Sequence, residues 1–340
     1  MRSVRHASLA STDRRQGTLL PIAAGRKLIC AALLASTAMV SIATGTALAE
    51  DLVIDGNDQE EITAPRNLDG GDLVVGDTAG SDATLTISDG GQLESDNTLI
   101  GHDAGSKGTV TVSGSGTLNT EDMLVGDTGD GTLIISDGGS VTTRIAYVGT
   151  DIDTSGTVTV TGTGSSWTNT GRFNVGHGGS GTMTVSDGGS VSGNSVQLGT
   201  IGSYSGSGTV TVTGAGSSWT NSSNFTVGHA GEGTLTVSDE GVAGASIFNI
   251  ARFSGSTGTL IIGAASGEDA QAAGFLQGAD GAAAVIEFGV GDGTIVLNHT
   301  ETDYEFDATV SGDGLFKQEA GNTHLTGDWS GFTGTGEISG

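Results

Sequence analysis

Cysteine, proline and aromatic residues are scarce in this 340-residue chain, which has one cysteine, two prolines and only 4% aromatic residues. The cysteine, Cys30, lies in an apolar N-terminal stretch, so the rest of the chain has no disulfide framework. If the chain is exported, packing and hydrogen bonds alone must hold its folded part together. The 61 glycines show no three-residue period, which excludes collagen.

Basic residues are also few, with 12 lysines and arginines against 39 acidic residues and a formal net charge of −27. Six of the 12 basic residues lie in the first 49 positions, which contain one acidic residue, Asp13. Residues 50–340 therefore hold 6 basic and 38 acidic residues, a formal charge of −32. Such a surface repels nucleic acid phosphates and anionic lipid head groups, and we expect no nucleic acid partner.

A segment of the form Gly-Thr-(Val/Leu/Met)-Thr-Val-(Ser/Thr) recurs at steps of 25, 23, 25, 25, 27, 25 and 25 residues. Its copies begin at Ala83, Gly108, Gly131, Gly156, Gly181, Gly208, Gly233 and Gly258. Few charges and few aromatics can indicate disorder, but alternating β-branched residues are typical of half-buried strands. A strand-like unit with this period predicts an all-β solenoid.

The unit from Gly156 to Gly181 shows how one repeat is built. Residues 157–161 alternate polar and apolar, residues 166–169 and 172–175 form two more strand-like segments, and glycine-rich turns separate the three. The pattern predicts a parallel β-helix with about 25-residue three-strand coils, in which valines stack inside and threonines face outward. About 11 such coils would form a rod about 50 Å long.

Two kinds of repeat alternate. One carries Ser-Ser-Trp-Thr-Asn, at residues 165–169 and 217–221. The other carries Ser-Asp-Gly-Gly, whose Asp-Gly-Gly part is expected to supply the positive φ angles of the turns. Its copies lie at 88–91, 136–139 and 186–189, with a diverged copy at 238–241.

The first 49 residues have the three parts of a secretory signal peptide. Six basic residues precede an apolar run from Leu28 to about Val40, and Ala-Leu-Ala at 47–49 matches a small-x-small cleavage site. The apolar run is short for a membrane-spanning helix and is diluted by Ser36, Thr37, Ser41, Thr44 and Gly45. We therefore predict a signal peptide over 1–49 and cleavage before Glu50.

The rest of the chain divides by how closely it keeps the repeat. Residues 50–72 are the least repetitive and are predicted to form an irregular N-terminal cap. Residues 73–263 are β-helix repeats, and residues 264–284 are an irregular coil rich in alanine and glycine. Strand patterning resumes over 285–340, which is predicted to be a further β-helix segment.

The C-terminal part carries a family resemblance. The residues concerned are 288–300, 304–306, 310–314 and 320–334. Together with the Gly-Thr-Val-Thr-Val and Ser-Ser-Trp-Thr-Asn units, they resemble the passenger domain of autotransporters, the type V secretion proteins of Gram-negative bacteria, with passenger-associated β-strand repeats. The resemblance covers nearly the whole chain, and it identifies a class of passenger rather than an activity.

The resemblance implies a right-handed parallel β-helix that crosses the outer membrane unfolded through a C-terminal β-barrel translocator. The lack of cysteine after residue 49 fits this route, because a disulfide would obstruct an unfolded chain in the pore. No barrel-like strands lie in this sequence, so we expect the translocator to be missing here or supplied separately. The implied location is the outer membrane, the cell surface or the medium, and the periplasm if no barrel exists.

Three histidines, His102, His177 and His229, follow a (Val/Ile)-Gly pair at equivalent positions. They are three and two coils apart, which places neighbours about 10 to 14 Å from each other. One zinc ion needs its ligands at about 2 Å. We interpret the histidines as exposed turn residues inherited by duplication and predict no metal site.

Four aspartates, Asp89, Asp137, Asp187 and Asp239, also recur in register. Glycosidases place their two carboxylates about 5 to 9.5 Å apart. Two coils separate neighbours here, which corresponds to about 10 Å. We interpret the aspartates as turn-forming residues and predict no catalytic residue and no cofactor. The nonapeptide repeat of calcium-binding β-rolls is absent.

The two tryptophans of the repeats, Trp167 and Trp219, are expected on one face, two coils apart. Aromatic platforms can bind sugars. Packing inward or against an edge, beside Asn169 and Asn221, is the interpretation that we favour.

These patterns predict a non-enzymatic, secreted or surface-exposed passenger that acts as an adhesin or a self-association module. Its partners would be glycans or proteins of host or bacterial surfaces. One alternative is a carbohydrate-active β-helix enzyme, which a groove gathering Asp or Glu from adjacent coils would favour. The other is an inert spacer stalk for a missing domain.

Overall fold

A computed structural model describes residues 49–200 and 206–339 of the chain. Within these residues the chain is all-β, with thirty strands and no helix. The predicted signal peptide, including Cys30, lies outside the described residues except for Ala49.

The strands form two large parallel sheets and one small one. The twelve-stranded sheet contains β2 (Gln59–Ile62), β5 (Asp82–Ile87), β7 (Lys107–Ser113), β9 (Asp130–Ser136), β11 (Ser155–Thr161), β13 (Ser180–Ser186), β15 (Ser207–Thr213), β18 (Glu232–Ser238), β21 (Thr257–Gly263), β24 (Asp292–Asn298), β27 (Leu315–Ala320) and β30 (Thr335–Ile338). The sixteen-stranded sheet contains β1 (Leu52–Ile54), β3 (Pro65–Asn67), β4 (Leu73–Val75), β6 (Gln92–Ile100), β8 (Thr117–Val125), β10 (Ser140–Val148), β12 (Ser166–Val175), β14 (Ser190–Leu198), β16 (Ser218–Asn221), β17 (Asn224–Val227), β19 (Val242–Gly244), β20 (Ile247–Ile250), β22 (Phe275–Gln277), β23 (Val285–Phe288), β26 (Thr309–Gly312) and β29 (Gly331–Phe332). The small sheet pairs β25 (Tyr304–Phe306) with β28 (Thr323–Leu325).

The chain passes from one large sheet to the other and back, and each strand pairs with the equivalent strand of the next repeat. The pairing confirms the predicted repeat boundaries, because each repeat start lies beside the next, from Ala83 opposite Gly108 to Gly233 opposite Gly258. Beyond the predicted copies, Gly258 pairs with Gly293. The predicted parallel β-solenoid is confirmed. Its 12 stacked strands extend over about 50 Å.

The second and third strands predicted for each repeat join into one strand in part of the stack. The strands β6, β8, β10, β12 and β14 are single strands of 9 or 10 residues. In the following coils the same stretch is divided, first into β16 and β17 and then into β19 and β20. The register shift between Asn169 and Arg172, where β12 pairs with β14, marks the corner at which the division occurs.

One hydrophobic core runs along the inside of the stack, from Leu52 to Phe316. Val158 and Val160, predicted to face inward, are at most 1% exposed, whereas Thr159 between them is only partly buried. Because each inward side chain contacts its counterparts in the coils above and below, aliphatic residues form continuous columns.

The Asp-Gly-Gly turns adopt the backbone predicted for them. Asp137 and Gly138 have φ angles of 52° and 90°, and Asp187 and Gly188 have 52° and 84°. Aspartate and glycine tolerate this left-handed region better than other residues. The aspartates are therefore part of the turn itself, as we predicted.

Two segments outside the regular repeats complete the fold. Residues 50–72, expected to be irregular, carry β1, β2 and β3 and form the first coil, because Leu52, Ile54 and Ile62 supply inward side chains. Residues 264–284 contain only β22 and form an insertion between β21 and β23. Asn298 holds this insertion by donating hydrogen bonds to the carbonyl oxygens of Ala265 and Glu268, at 3.0 and 2.9 Å.

Candidate functional site

The tryptophans of the repeats lie inside the stack. Trp167 and Trp219 are both fully buried. With three phenylalanines they form a continuous row of rings, Trp167, Phe173, Trp219, Phe225 and Phe248, whose successive centroids are 4.7, 5.2, 5.5 and 5.8 Å apart. The inward packing that we favoured is confirmed, and a sugar-binding platform at these residues is wrong.

The three histidines occupy one column of turn positions but do not meet. Asp127 and Thr150 fill the two turns between His102 and His177, and Thr200 fills the turn between His177 and His229. The prediction that they are separate is therefore confirmed. The prediction that they are exposed is wrong, because all three are partly buried.

Each histidine has its own neighbour in the coil beside it. His102 Nδ1 lies 2.8 Å from a carboxylate oxygen of Asp127. His177 packs against Tyr147 and His229 against Phe253, both with ring centroids 4.9 Å apart. Burial lowers the pKa of His177 and of His229, and an arginine near each ring adds to this effect.

The turn aspartates do not form a carboxylate pair. Asp187 accepts a hydrogen bond from Thr161 at 3.0 Å, and Asp239 accepts one from Thr213 at 3.0 Å. Each aspartate therefore ties its own turn to the preceding coil of the stack. These contacts support our interpretation that the aspartates are turn-forming residues.

A concave region lies where the insertion meets the small sheet, and we name it the acidic cleft. It has a volume of about 650 Å³. Its lining residues are Glu240, Ala273, Phe275, Leu276, Glu301, Asp303, Tyr304, Glu305, Phe306, Asp307 and Ala308. Five of these are carboxylates, and the side chain of Phe275 is 48% exposed. A cleft of this kind presents negative charge beside apolar and aromatic surface.

A buried polar cluster supports one wall of the acidic cleft. His299 is fully buried, with Nδ1 3.1 Å from Glu301 and Nε2 2.7 Å from the hydroxyl of Thr323. Tyr304 donates a 2.8 Å hydrogen bond to the carbonyl oxygen of Gly274 in the insertion. Burial lowers the pKa of His299 despite the opposing effect of Glu301. Burial, followed by the charges of Glu301 and Asp307, raises the pKa of Tyr304.

The acidic cleft as a whole could not be predicted from the sequence, although one of its walls follows a visible pattern. Glu240 belongs to the diverged copy of the Asp-Gly-Gly turn and has a φ angle of 64°. Glu301 is distant from it in the chain and outside the repeats, and it accepts a hydrogen bond from the amide of Ala273 at 2.9 Å. Only the path of the insertion brings these carboxylates into one cleft. The alternation of acidic residues over 301–307 was a visible pattern that could have drawn attention to one wall.

A second concave region follows the first coils of the sixteen-stranded sheet and is polar. It has a volume of about 530 Å³ and includes Asn67, Glu94, Asn119 and Arg144 among its lining residues. Arg144 donates to Glu121 at 2.7 Å and to Asp122 at 2.6 Å. The hydrogen bond to Glu121 raises the pKa of Arg144. Because both carboxylates already hold the guanidinium, Arg144 is engaged within the protein.

The outer side of the twelve-stranded sheet carries a polar surface, which we name the threonine face. It consists of two adjacent outward positions on each of the seven strands from β5 to β18, and the outward position before them holds Asp82, Lys107, Asp130, Ser155, Ser180, Ser207 and Glu232. The two positions of the face form one column of Thr84, Thr109, Thr132, Thr157, Thr182, Thr209 and Thr234, and a second of Thr86, Thr111, Ile134, Thr159, Thr184, Thr211 and Thr236. Thirteen of the 14 residues are threonine, and none carries a charge.

Two further observations concern the part of the chain that the structure describes. Its residues include no group of three or more His, Cys, Asp or Glu side chains arranged to hold a metal ion. They also include no helix long and apolar enough to cross a membrane.

Comparison with known proteins gives two partial likenesses, and no family model matches the chain. The uncharacterized lipoprotein YdeK of Escherichia coli (strain K12) is 35% identical over 116 residues, which is 32% of this chain and only 8% of that protein. The crystal structure of a TibC-catalyzed hyper-glycosylated TibA55-350 fragment is similar over 85% of this chain and 94% of that one. Its sequence identity is 17% and its TM-score is 0.33.

Proposed function

We propose that this chain is an exported, autotransporter-like passenger that acts as an adhesin or self-association module rather than as an enzyme. The observation that carries the proposal is the filled interior, because one core occupies the stack from Leu52 to Phe316. Any partner larger than a small molecule must therefore bind to the outer sides. These sides repeat nearly the same residues at every coil, so they can form many weak contacts with a repetitive partner.

The adhesion test uses beads coated with the purified chain. We expect the beads to adhere to bacterial or host cells, or to each other, and expect soluble chain to compete. A matched variant lacks residues 156–207, which removes one double repeat while Gly208 takes the place of Gly156 beside Gly131. Its adhesion should be weaker, because fewer repeats contact the partner. Beads that adhere to no cell, glycan or other bead would support the spacer alternative instead.

Export is a separate part of the proposal. The basic start, apolar run and Ala-Leu-Ala site at 47–49 support removal of residues 1–49 during secretion. Expression in a Gram-negative host with mass measurement of the exported chain should give an N-terminus at Glu50. We further propose that a β-barrel translocator, co-expressed or fused, is required for surface exposure. Protease added to intact cells should then cleave the chain only when the barrel is present.

A second candidate, a carbohydrate-active enzyme, is favoured by the acidic cleft. The cleft gathers Glu240 and Glu301 with the exposed ring of Phe275, and paired carboxylates are the groups that glycoside hydrolysis uses. The chain would be incubated with neutral and acidic polysaccharides, and new reducing ends would be measured. Activity abolished by Glu301→Gln and retained by Glu287→Gln, an exposed residue on β23, would establish the enzyme. No release of sugar from any substrate would leave the adhesin proposal in place.

A further inference from the structure

The threonine face is a regular grid. Strands in a sheet lie about 4.8 Å apart, and alternate residues along a strand are about 6.6 Å apart. No register shift interrupts the twelve-stranded sheet from β5 to β24, so hydroxyl groups repeat at these two spacings along the face. The seven strands from β5 to β18 give the grid a length of about 30 Å.

The hydroxyl groups of this grid are free to bind an external partner. None of the 13 threonines donates or accepts a side-chain hydrogen bond within the described residues, unlike the next outward position, where Ser186 donates to Thr161 at 2.9 Å. Threonine is stiff about χ1, so the orientation of each hydroxyl and methyl group is restricted before binding. The face is therefore an array of unused hydrogen-bonding groups in fixed positions.

The grid is neutral although the molecule is strongly acidic. Residues 50–340 have a formal charge of −32, yet the 14 positions of the threonine face hold no charged residue. Charged side chains bind water strongly in their own geometry, whereas a neutral grid can accept water in a geometry set by a neighbouring lattice. The outward column beside the grid carries charge at Asp82, Lys107, Asp130 and Glu232, so it is only within the grid itself that a neutral partner is favoured over a polycation or a polyanion.

The grid ends where the insertion begins. In the next two coils the second column continues with Ile261 and Val296, which are only 4% and 2% exposed. At the other end the two columns continue with Gln59 and Glu61 of β2, which are exposed but are not threonines. The two-column threonine grid is therefore confined to the strands from β5 to β18. This boundary defines which residues a test must change.

We propose that the threonine face binds the surface of ice. Water molecules on the planes of ice repeat at spacings close to those of the grid, so many hydroxyls can join the lattice at once. One such hydrogen bond gains little over a bond to liquid water, and only a large array in fixed register can bind a lattice. The methyl groups between the hydroxyls add apolar contact. The inference goes beyond the proposed adhesin function and does not depend on it.

A crystalline neutral polysaccharide is the competing partner for the same grid. Sugar rings stack on aromatic side chains, and the threonine face contains none. The face therefore offers hydrogen bonds without the stacking surface that polysaccharide binding uses. This difference favours ice, and the experiment includes the polysaccharide as an outcome.

The test measures thermal hysteresis and the fraction of labelled chain that enters a slowly growing ice front. The face variant carries Thr159→Tyr, Thr184→Tyr and Thr211→Tyr at the centre of the grid. The control carries Thr142→Tyr, Thr168→Tyr and Thr220→Tyr, which share one outward column of the sixteen-stranded sheet. Circular dichroism checks that both variants remain folded.

We expect the unmodified chain and the control to enter the ice and to show thermal hysteresis. In the face variant, the thermal hysteresis and the fraction of chain that enters the ice should each fall about tenfold, because contacts at the centre of an interface carry most of its energy. The milder set Thr159→Ser, Thr184→Ser and Thr211→Ser guards against misfolding and should lose part of the activity, since only the methyl groups are removed. Exclusion of the unmodified chain from ice would overturn the proposal. Full activity of a folded face variant would do the same, as would binding to cellulose or chitin without binding to ice.

Discussion

At the scale of single residues, the aromatic row is the part of the interior most sensitive to change. Trp167 is fully buried between β10 and β14, and its indole nitrogen donates a 3.0 Å hydrogen bond to Thr143. Neighbouring coils are fixed by backbone pairing and cannot collapse into a space left by this side chain. A cavity here would therefore persist.

Trp167→Ala should lower the free energy of unfolding by about 3 to 5 kcal/mol, the usual cost of removing a large buried aromatic side chain. Urea denaturation followed by circular dichroism measures the change. The adjacent Thr168 faces outward, and Thr168→Ala should change stability by less than about 0.5 kcal/mol. If the two variants lost similar amounts of unfolding free energy, the aromatic row would not contribute the stability that we infer from its burial.

Asp55 provides a pH-dependent contribution at the first turn of the stack. Partial burial acts to raise its pKa, but hydrogen bonds led by those from the amide and hydroxyl of Thr78 outweigh burial and lower the pKa from 3.8 to about 2. A carboxyl group whose pKa is lower in the folded state stabilises the fold above its unfolded pKa. That contribution is lost as the pH falls through the folded pKa.

Asp55→Asn should therefore destabilise the chain near neutral pH, and the difference from the unmodified chain should shrink between about pH 4 and about pH 2. Unfolding in urea at a series of pH values measures this. Asp58 is exposed and accepts no side-chain hydrogen bond from a described residue, so Asp58→Asn is the matched control and should cost little stability near neutral pH. A constant difference across this pH range would contradict the role given to Thr78.

At the scale of elements, the unit of folding is the coil. Gly131 pairs with Gly156, Gly156 with Gly181, and Gly181 with Gly208, so equivalent strands are interchangeable partners. In such a stack, stability is approximately the sum of coil terms and of terms between neighbouring coils. The chain should tolerate the loss of whole coils better than the loss of a few residues from one coil.

Deletion of residues 156–207 should give a folded chain, because Gly208 then pairs with Gly131 and Trp219 occupies the place of Trp167. We expect an unchanged β-sheet circular dichroism spectrum per residue and a smaller unfolding enthalpy. Deletion of 156–194 removes fewer residues but joins unlike parts of a coil, and this variant should unfold or aggregate. If the shorter deletion were the more stable of the two, register would not control the stack.

At the scale of the whole molecule, the net negative charge destabilises the folded state. The described stack belongs to residues 50–340, whose formal charge is −32, and it has few cationic partners for its carboxylates. Self-repulsion of this kind weakens a folded state and is screened by salt over about 10 Å at 0.1 M. The same repulsion acts between copies, so any self-association of the chain should also strengthen when salt screens it.

The melting temperature should therefore rise when sodium chloride is increased from about 0.01 M to about 0.5 M, where screening becomes short-ranged. Differential scanning calorimetry measures the shift, and a sugar of equal osmolality is the control for effects unrelated to charge. A melting temperature that stays constant with salt would show that the acidic residues lie too far apart to repel one another.

The sequence by itself determined the fold class, the repeat boundaries and the inward position of the valines. These properties depend on local patterns, because a period-2 strand pattern and a step near 25 residues leave one way to stack the strands. It also determined the turn role of Asp137 and Asp187, since few residues tolerate a positive φ angle.

Only the tertiary structure decided what depends on residues far apart in the chain. It brought Glu240 and Glu301 into one cleft, because the insertion over 264–284 carries the chain outside the repeat before β23 returns to it. It also showed that the histidines are partly buried, since their exposure depends on which residue the next coil places beside them. A repeat fixes the contacts that every coil shares, whereas a site arises where coils differ, and that difference is set by packing between distant segments.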